Sequence, residues 1–122
     1  MVTHRGGWII SRRRFGSPQT GWAFHGHDTY GLGLANVFAA FRSGIAVFDG
    51  SVAGLGGCPF APGATGNVAS EDVAYLFSRM GFRTGIDLQK LLDTADDAAA
   101  IPGASVGGHI RSLPLREMHP AH

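Results

Sequence analysis

The stretch GWAFHGHDTYGLGLANVFAAFRSGIAVFD, residues 21–49, decides how this chain folds. Its first seven residues, GWAFHGH, read as a short strand, which DTYG then breaks. In LGLANVFAAFRS, Leu34, Val37, Phe38 and Phe41 recur at helical spacing, and Gly44 stops the run. IAVFD, residues 45–49, is a continuous apolar run closed by an acid, the pattern of a strand buried on both faces. Strand, helix, strand in this order predicts one right-handed βαβ unit with a parallel pair. Two parallel strands cannot close a sheet covered on both faces. These residues therefore read as a piece of a larger α/β fold.

Downstream, SVAGLGGCPFAPGATGN, residues 51–67, reads as one long glycine-rich loop holding the chain's single cysteine, Cys58. Ser70 predicts an N-cap, and Glu71 and Asp72 then fall in a first turn whose dipole favours negative charge. Val73, Leu76, Phe77 and Met80 repeat at helical spacing until Gly81. Asp87 predicts the cap of a further helix carrying Leu88, Leu91 and Leu92, which ends before Pro102. From Gly103 the chain reads as loop, including GASVGGHIRSL, with residues 113–122 as a flexible tail.

The composition bounds the function. The chain has 122 residues, 44% hydrophobic and 16% charged, which suits one small globular unit. A formal net charge of +1 argues against a dedicated binder of nucleic acid or acidic membranes. No apolar run approaches the ~20 residues of a spanning helix. A lone cysteine forms no internal disulfide, which fits a reducing compartment. Lys90 is the sole lysine, an arginine bias associated with GC-rich bacterial genomes. The bacterial cytoplasm is therefore the expected compartment. The first 22 residues are basic and read as an irregular segment. Arg5, Arg12, Arg13 and Arg14 fall in this segment without an acid, which would point to the mitochondrion if it is a transit peptide.

Several residues are equipped for chemistry. His25 and His27 lie two apart on the predicted strand, so both leave the same face near its carboxyl end. Two imidazoles so placed suit a divalent metal, or else form an exposed pair at a strand end. Cys58 is either a small buried hydrophobe or a thiol presented to a cleft as acid or nucleophile. Asn67 closes the loop and Glu71 follows one helical turn later. They organise a helix start, or Asn67 offers a ligand oxygen with Glu71 behind it. No Gly-Lys-Ser/Thr follows the loop, and GLGLAN has only two glycines of a dinucleotide fingerprint, so a nucleotide cradle is set aside.

The run HGHDTYGLGLANVFAAFRSGIAVFDGSVAGLGGCPFAPGATGNVASEDVAYLF resembles the 3-hydroxy-3-methylglutaryl-CoA lyases, members of a metal-dependent lyase and synthase barrel superfamily. The likeness extends from about Ala23 to about Ala95. His-x-His, GLG and Asn-x-x-x-Glu resemble the wider superfamily, whereas Gly-Gly-Cys-Pro followed by TGN resembles the lyases specifically. The resemblance implies the last two β/α units of a (β/α)8 TIM barrel over residues 23–112. It implies retro-Claisen cleavage of 3-hydroxy-3-methylglutaryl-CoA to acetyl-CoA and acetoacetate, with Mg or Mn as the cation. It further implies His25, His27 and Asn67 as metal ligands and Cys58, His25 and Glu71 as catalytic residues.

The same resemblance shows what these residues lack. The family's first barrel strand, with an aspartate ligand and a neighbouring arginine, has no counterpart here. Gly50 also stands where serine or alanine is usual. The expectation is half a metal site on part of a barrel, inactive alone, its partners an acyl-CoA and either a second copy or a missing amino-terminal half-barrel. Two alternatives stay open. One is half of a split lyase acting on this or a related acyl-CoA such as citramalyl-CoA. The other is a metal-binding module without catalysis.

Overall fold

The computed structural model describes residues 22–56 and 66–114. Expectations that fall on residues 1–21, 57–65 and 115–122, Cys58 among them, lie outside the described residues. In chain order the elements are β1 (Ala23–Phe24), α1 (Gly33–Arg42), β2 (Val47–Phe48), α2 (Ser70–Arg79) and α3 (Leu88–Ala99). Short 3-10 turns occupy Thr29–Gly31, Val52–Gly54 and Ile110–Ser112. The expected strand, helix, strand unit is present: β1 and β2 pair in parallel, with Ala23 opposite Val47 and Phe24 opposite Phe48.

The sheet reaches further than the sequence suggests. Ser51 N–H donates to the Val68 carbonyl at 3.0 Å, and Ser70 N–H donates back to the Ser51 carbonyl at 2.9 Å. Residues 67–69, of which Asn67 was read as the end of a loop, thus extend the sheet beyond β2 through a parallel bridge between Ser51 and Ala69. That pairing also changes the start of α2. Ser70 is its first residue and not its cap; Ala69 precedes the helix in extended form, without a side-chain cap. At α3 the expectation holds, since Asp87 Oδ1 accepts from Lys90 N–H at 3.1 Å.

One face of the sheet is covered. Phe24, Val37, Ala40, Ile45 and Val68 form the main core, with Leu34, Phe48, Val73, Leu76 and Phe77 packed against it. The opposite face is not: Val47 is 57% exposed, and His25 and Asp49 beside it are exposed too. Burial on both faces, expected for IAVFD, is therefore not met among the described residues. Alternation places Phe24 and Phe48 towards the helices and Val47 away from them. On α1 the buried stripe is Gly33, Val37 and Ala40, and Phe38, expected inside, is 42% exposed.

The segment from Gly103 is irregular, as read, but it is fastened. Gly107 N–H donates to the Ala53 carbonyl at 2.7 Å. The Asp72 carboxylate accepts from the backbone N–H groups of His109, at 3.0 Å to each oxygen, and of Ile110, at 3.1 Å. Asp72 is 2% exposed, so it does more than complement a helix dipole: it neutralises buried backbone donors 37 and 38 residues away. Ile110 then packs with Leu92, Tyr75 and Leu88 in a second small core. Among the described residues, no helix is long and apolar enough to cross a membrane.

Candidate functional site

The site forms where the carboxyl ends of β1 and β2 meet residues 66–69. Asp28 N–H donates to the Gly66 carbonyl at 3.1 Å, and Val68 N–H donates to the Gly26 carbonyl at 3.0 Å. These two bonds set His27 directly opposite Asn67 in an antiparallel bridge. The rings of His25 and His27 are neighbours, edge to face, with centroids 5.3 Å apart. Three of the sequence-expected ligands, His25, His27 and Asn67, are thus brought to one place.

Asn67 is held in a telling way. Its Nδ2 donates to the Leu55 carbonyl at 2.9 Å, which fixes the amide's orientation, since flipping it would set oxygen against oxygen. Its Oδ1 is buried and no donor among the described residues reaches it. A buried acceptor without a donor is costly unless something cationic or protic arrives. A hard divalent cation is one partner that such an amide oxygen accepts.

The base of the glycine-rich loop is closed by backbone packing. A Cβ at Gly66 would fall onto the carbonyl oxygens of Gly54 and Gly56, so only glycine fits there. Ala53 sits in the left-handed region at φ 56 although it carries a Cβ and is fully buried. Two bonds hold it there: its carbonyl accepts from Gly107, and its N–H donates to Glu71 Oε2 at 3.1 Å. Backbone strain of this kind, about 1–3 kcal/mol, persists where surrounding structure over-determines it. Gly54, Gly56 and Gly66 at this neck serve close approach of two backbone segments.

Glu71 is fully buried, and its Oε1 has no donor among the described residues. Burial raises its pKa above the ordinary 4.5, and the neighbouring Asp72 adds to the rise; hydrogen bonds from the Glu71 and Ala53 backbone, and Arg111, oppose it. The sign follows. A raised pKa means the folded state favours the neutral acid, so this contribution is complete below the ordinary value and is lost as pH rises through the raised one. Glu71→Gln is therefore expected to match wild type in stability below about pH 4.5. At neutral and higher pH it is expected to be the more stable, as read by thermal melts across that range.

Sequence reasoning missed Asp49 as a site residue. The register that pairs Phe24 with Phe48 carries on to set His25 beside Asp49, and His25 Nδ1 lies 2.7 Å from Asp49 Oδ1. An acid closing a strand's carboxyl end was the available signal. Asp28 and His109 were also missed as partners. Asp28 Oδ1 accepts from Gly33 N–H at the start of α1, and its Oδ2 lies 3.2 Å from His109 Nε2. Among the described residues, no three His, Cys, Asp or Glu side chains converge on a cation. The donors found are two imidazoles and an amide oxygen, one side of a site.

The HMGL-like family matches residues 8–98, well over half of the chain. The chain belongs to the HMGL-like family. The match takes in part of the basic segment before Ala23. This HMGL-like chain is 56% identical over 90 residues to the 3-hydroxy-3-isohexenylglutaryl-CoA/hydroxymethylglutaryl-CoA lyase of Pseudomonas aeruginosa, covering 74% of the chain and 30% of that protein. It is 57% identical over 77 residues to the mitochondrial hydroxymethylglutaryl-CoA lyase of Gallus gallus, covering 63% and 26%. The crystal structure of hydroxymethylglutaryl-CoA lyase from Pseudomonas aeruginosa superposes with a TM-score of 0.69 at 53% identity, over 78% of the chain and 32% of that structure. A lyase from Acinetobacter baumannii, solved with coenzyme A and 3-methylmalate, gives 0.69 at 39% identity, over 82% and 33%. The fold is accordingly part of a TIM barrel, and the chain spans under a third of the length of these curated relatives.

Proposed function

We propose that this chain forms one wall of a metal-dependent acyl-CoA lyase site that cleaves 3-hydroxy-3-methylglutaryl-CoA to acetyl-CoA and acetoacetate. The observation that carries this reading is the Asn67 amide oxygen, buried and without a donor among the described residues, on a residue bridged through its backbone to His27. Together with His25 and His27 it would hold Mg2+ or Mn2+. Such a cation would lower the pKa of the substrate's tertiary hydroxyl. The hydroxyl proton would pass to an unligated His25 nitrogen; when the carbon–carbon bond breaks, its electron pair passes to the acetyl-CoA carbon, which must then gain a proton. Cys58, between Leu55 and Asn67 in the sequence, is the proposed proton donor, and Glu71 holds Ala53 through its N–H. His25 offers one free nitrogen, so its ligand and catalytic roles are exclusive at any moment.

The open face bearing Val47 favours completion of this site by further barrel strands. The first test is paramagnetic. Mn2+ added to the isotopically labelled chain is expected to broaden the His25 and His27 ring signals and the Asn67 side-chain amide first, with the effect lost in His25→Ala/His27→Ala. Broadening centred elsewhere, or unchanged in that variant, refutes the metal reading.

A further inference from the structure

We propose that Asp49 is a positioning residue: it keeps the His25 proton on Nδ1 and so fixes Nε2 as the nitrogen that His25 offers to a divalent cation or a substrate oxygen. The inference rests on the metal reading above for its purpose but not for its geometry. A neutral imidazole has one N–H and one lone pair, and which nitrogen bears the proton is set by the partner of the other. A carboxylate only accepts, so an Asp49 oxygen 2.7 Å from His25 Nδ1 places the proton on that nitrogen. Free imidazole side chains favour the opposite tautomer, with the proton on Nε2, so the carboxylate has something to decide.

The backbone register sets these two exposed side chains next to each other. His25 and Asp49 follow the paired residues Phe24 and Phe48 on adjacent parallel strands, so their side chains leave the same face side by side. Asp49 N–H donates to the Phe24 carbonyl at 3.2 Å, which continues the pairing to the very residue that carries the carboxylate. Both side chains lie on the face away from the helices, as does the His27 ring that packs edge to face on His25. A histidine that ligates a metal commonly gives its other N–H to a carboxylate, which fixes the ring and raises its basicity. The chain also contains the reverse arrangement. His109 meets Asp28 through Nε2, so the two histidines should carry their protons on opposite nitrogens.

The test uses the full chain, labelled with nitrogen-15, at a pH where the imidazoles are neutral. Long-range proton–nitrogen correlations are expected to show His25 as the Nδ1–H tautomer and His109 as the Nε2–H tautomer. Asp49→Asn should move His25 towards the Nε2–H form and leave His109 unchanged, and Asp49→Glu should restore part of the Nδ1–H population. A wild-type His25 already in the Nε2–H form overturns the proposal, as does a His25 that ignores Asp49→Asn. If Asp49→Asn disturbs His109 as well, the Asp49→Glu spectrum decides: Nδ1–H retained supports the proposal and Nε2–H overturns it. Mn2+ titration separates the two readings. Asp49→Asn should weaken binding about tenfold or more. A tautomer that switches in a chain that never binds Mn2+ sinks the metal reading alone, while Mn2+ binding with an indifferent tautomer sinks the positioning role alone.

Discussion

Asp72→Ala is expected to free the segment around His109 and Ile110 while leaving β1 and α1 in place. The carboxylate accepts from both backbone N–H groups at 3.0–3.1 Å and is almost wholly buried. Its removal deletes charge-assisted bonds worth about 1.5–3 kcal/mol and leaves two donors without an acceptor. Local opening, not global unfolding, is the expected mode, because Asp72 joins the small Leu92 and Ile110 cluster to α2 and takes no part in the Phe24 core. Amide exchange at His109 and Ile110 should accelerate about 10- to 100-fold, with Val37 and Ala40 unaffected. Asp72→Asn, which keeps one acceptor oxygen, should fall between. Equal acceleration in α1 would show that the segment is not a separate unit.

The other large effect concerns chemistry. In any assembly of this chain that releases acetoacetate, Cys58→Ala is expected to lower kcat by about 10²–10⁴ and to leave Mn2+ broadening at His25 and His27 unchanged. Proton delivery and cation binding are then expected to separate, since strand pairing at Phe24 and Phe48 and the backbone bonds around Asn67 place His25 and His27. Full turnover without the thiol removes the lyase-specific role of the Gly-Gly-Cys-Pro loop and favours a chain that binds metal by other logic. Loss of both turnover and Mn2+ binding would make the cysteine structural.

The strand, helix, strand order was legible because it rests on periodicity, which adjacent residues determine among themselves. The same holds for the α3 cap, where Asp87 and Lys90 are one turn apart. His25 and His27 were legible as a pair because alternation along one strand fixes their common face. What sequence alone could not give depends on partners far along the chain. Asp49 reaches His25 across 24 positions, and Asp72 reaches His109 across 37. Residues 67–69 hid in a glycine-rich stretch because so short a rung carries no pattern of its own. Phe38 and Val47 misled for a different reason. Their apolarity predicts burial, but the surfaces that would cover them are not among the described residues.

The most direct test of this account is Mn2+-dependent release of acetoacetate from 3-hydroxy-3-methylglutaryl-CoA by the purified monomeric chain. In our proposal His25, His27 and Asn67 supply one side of a metal site, and among the described residues no group of three His, Cys, Asp or Glu side chains could hold a metal ion. The account predicts Mn2+ broadening at these residues without acetoacetate release. Release by the monomer, abolished in Cys58→Ala, would contradict it, because the chain would then hold a complete lyase site by itself.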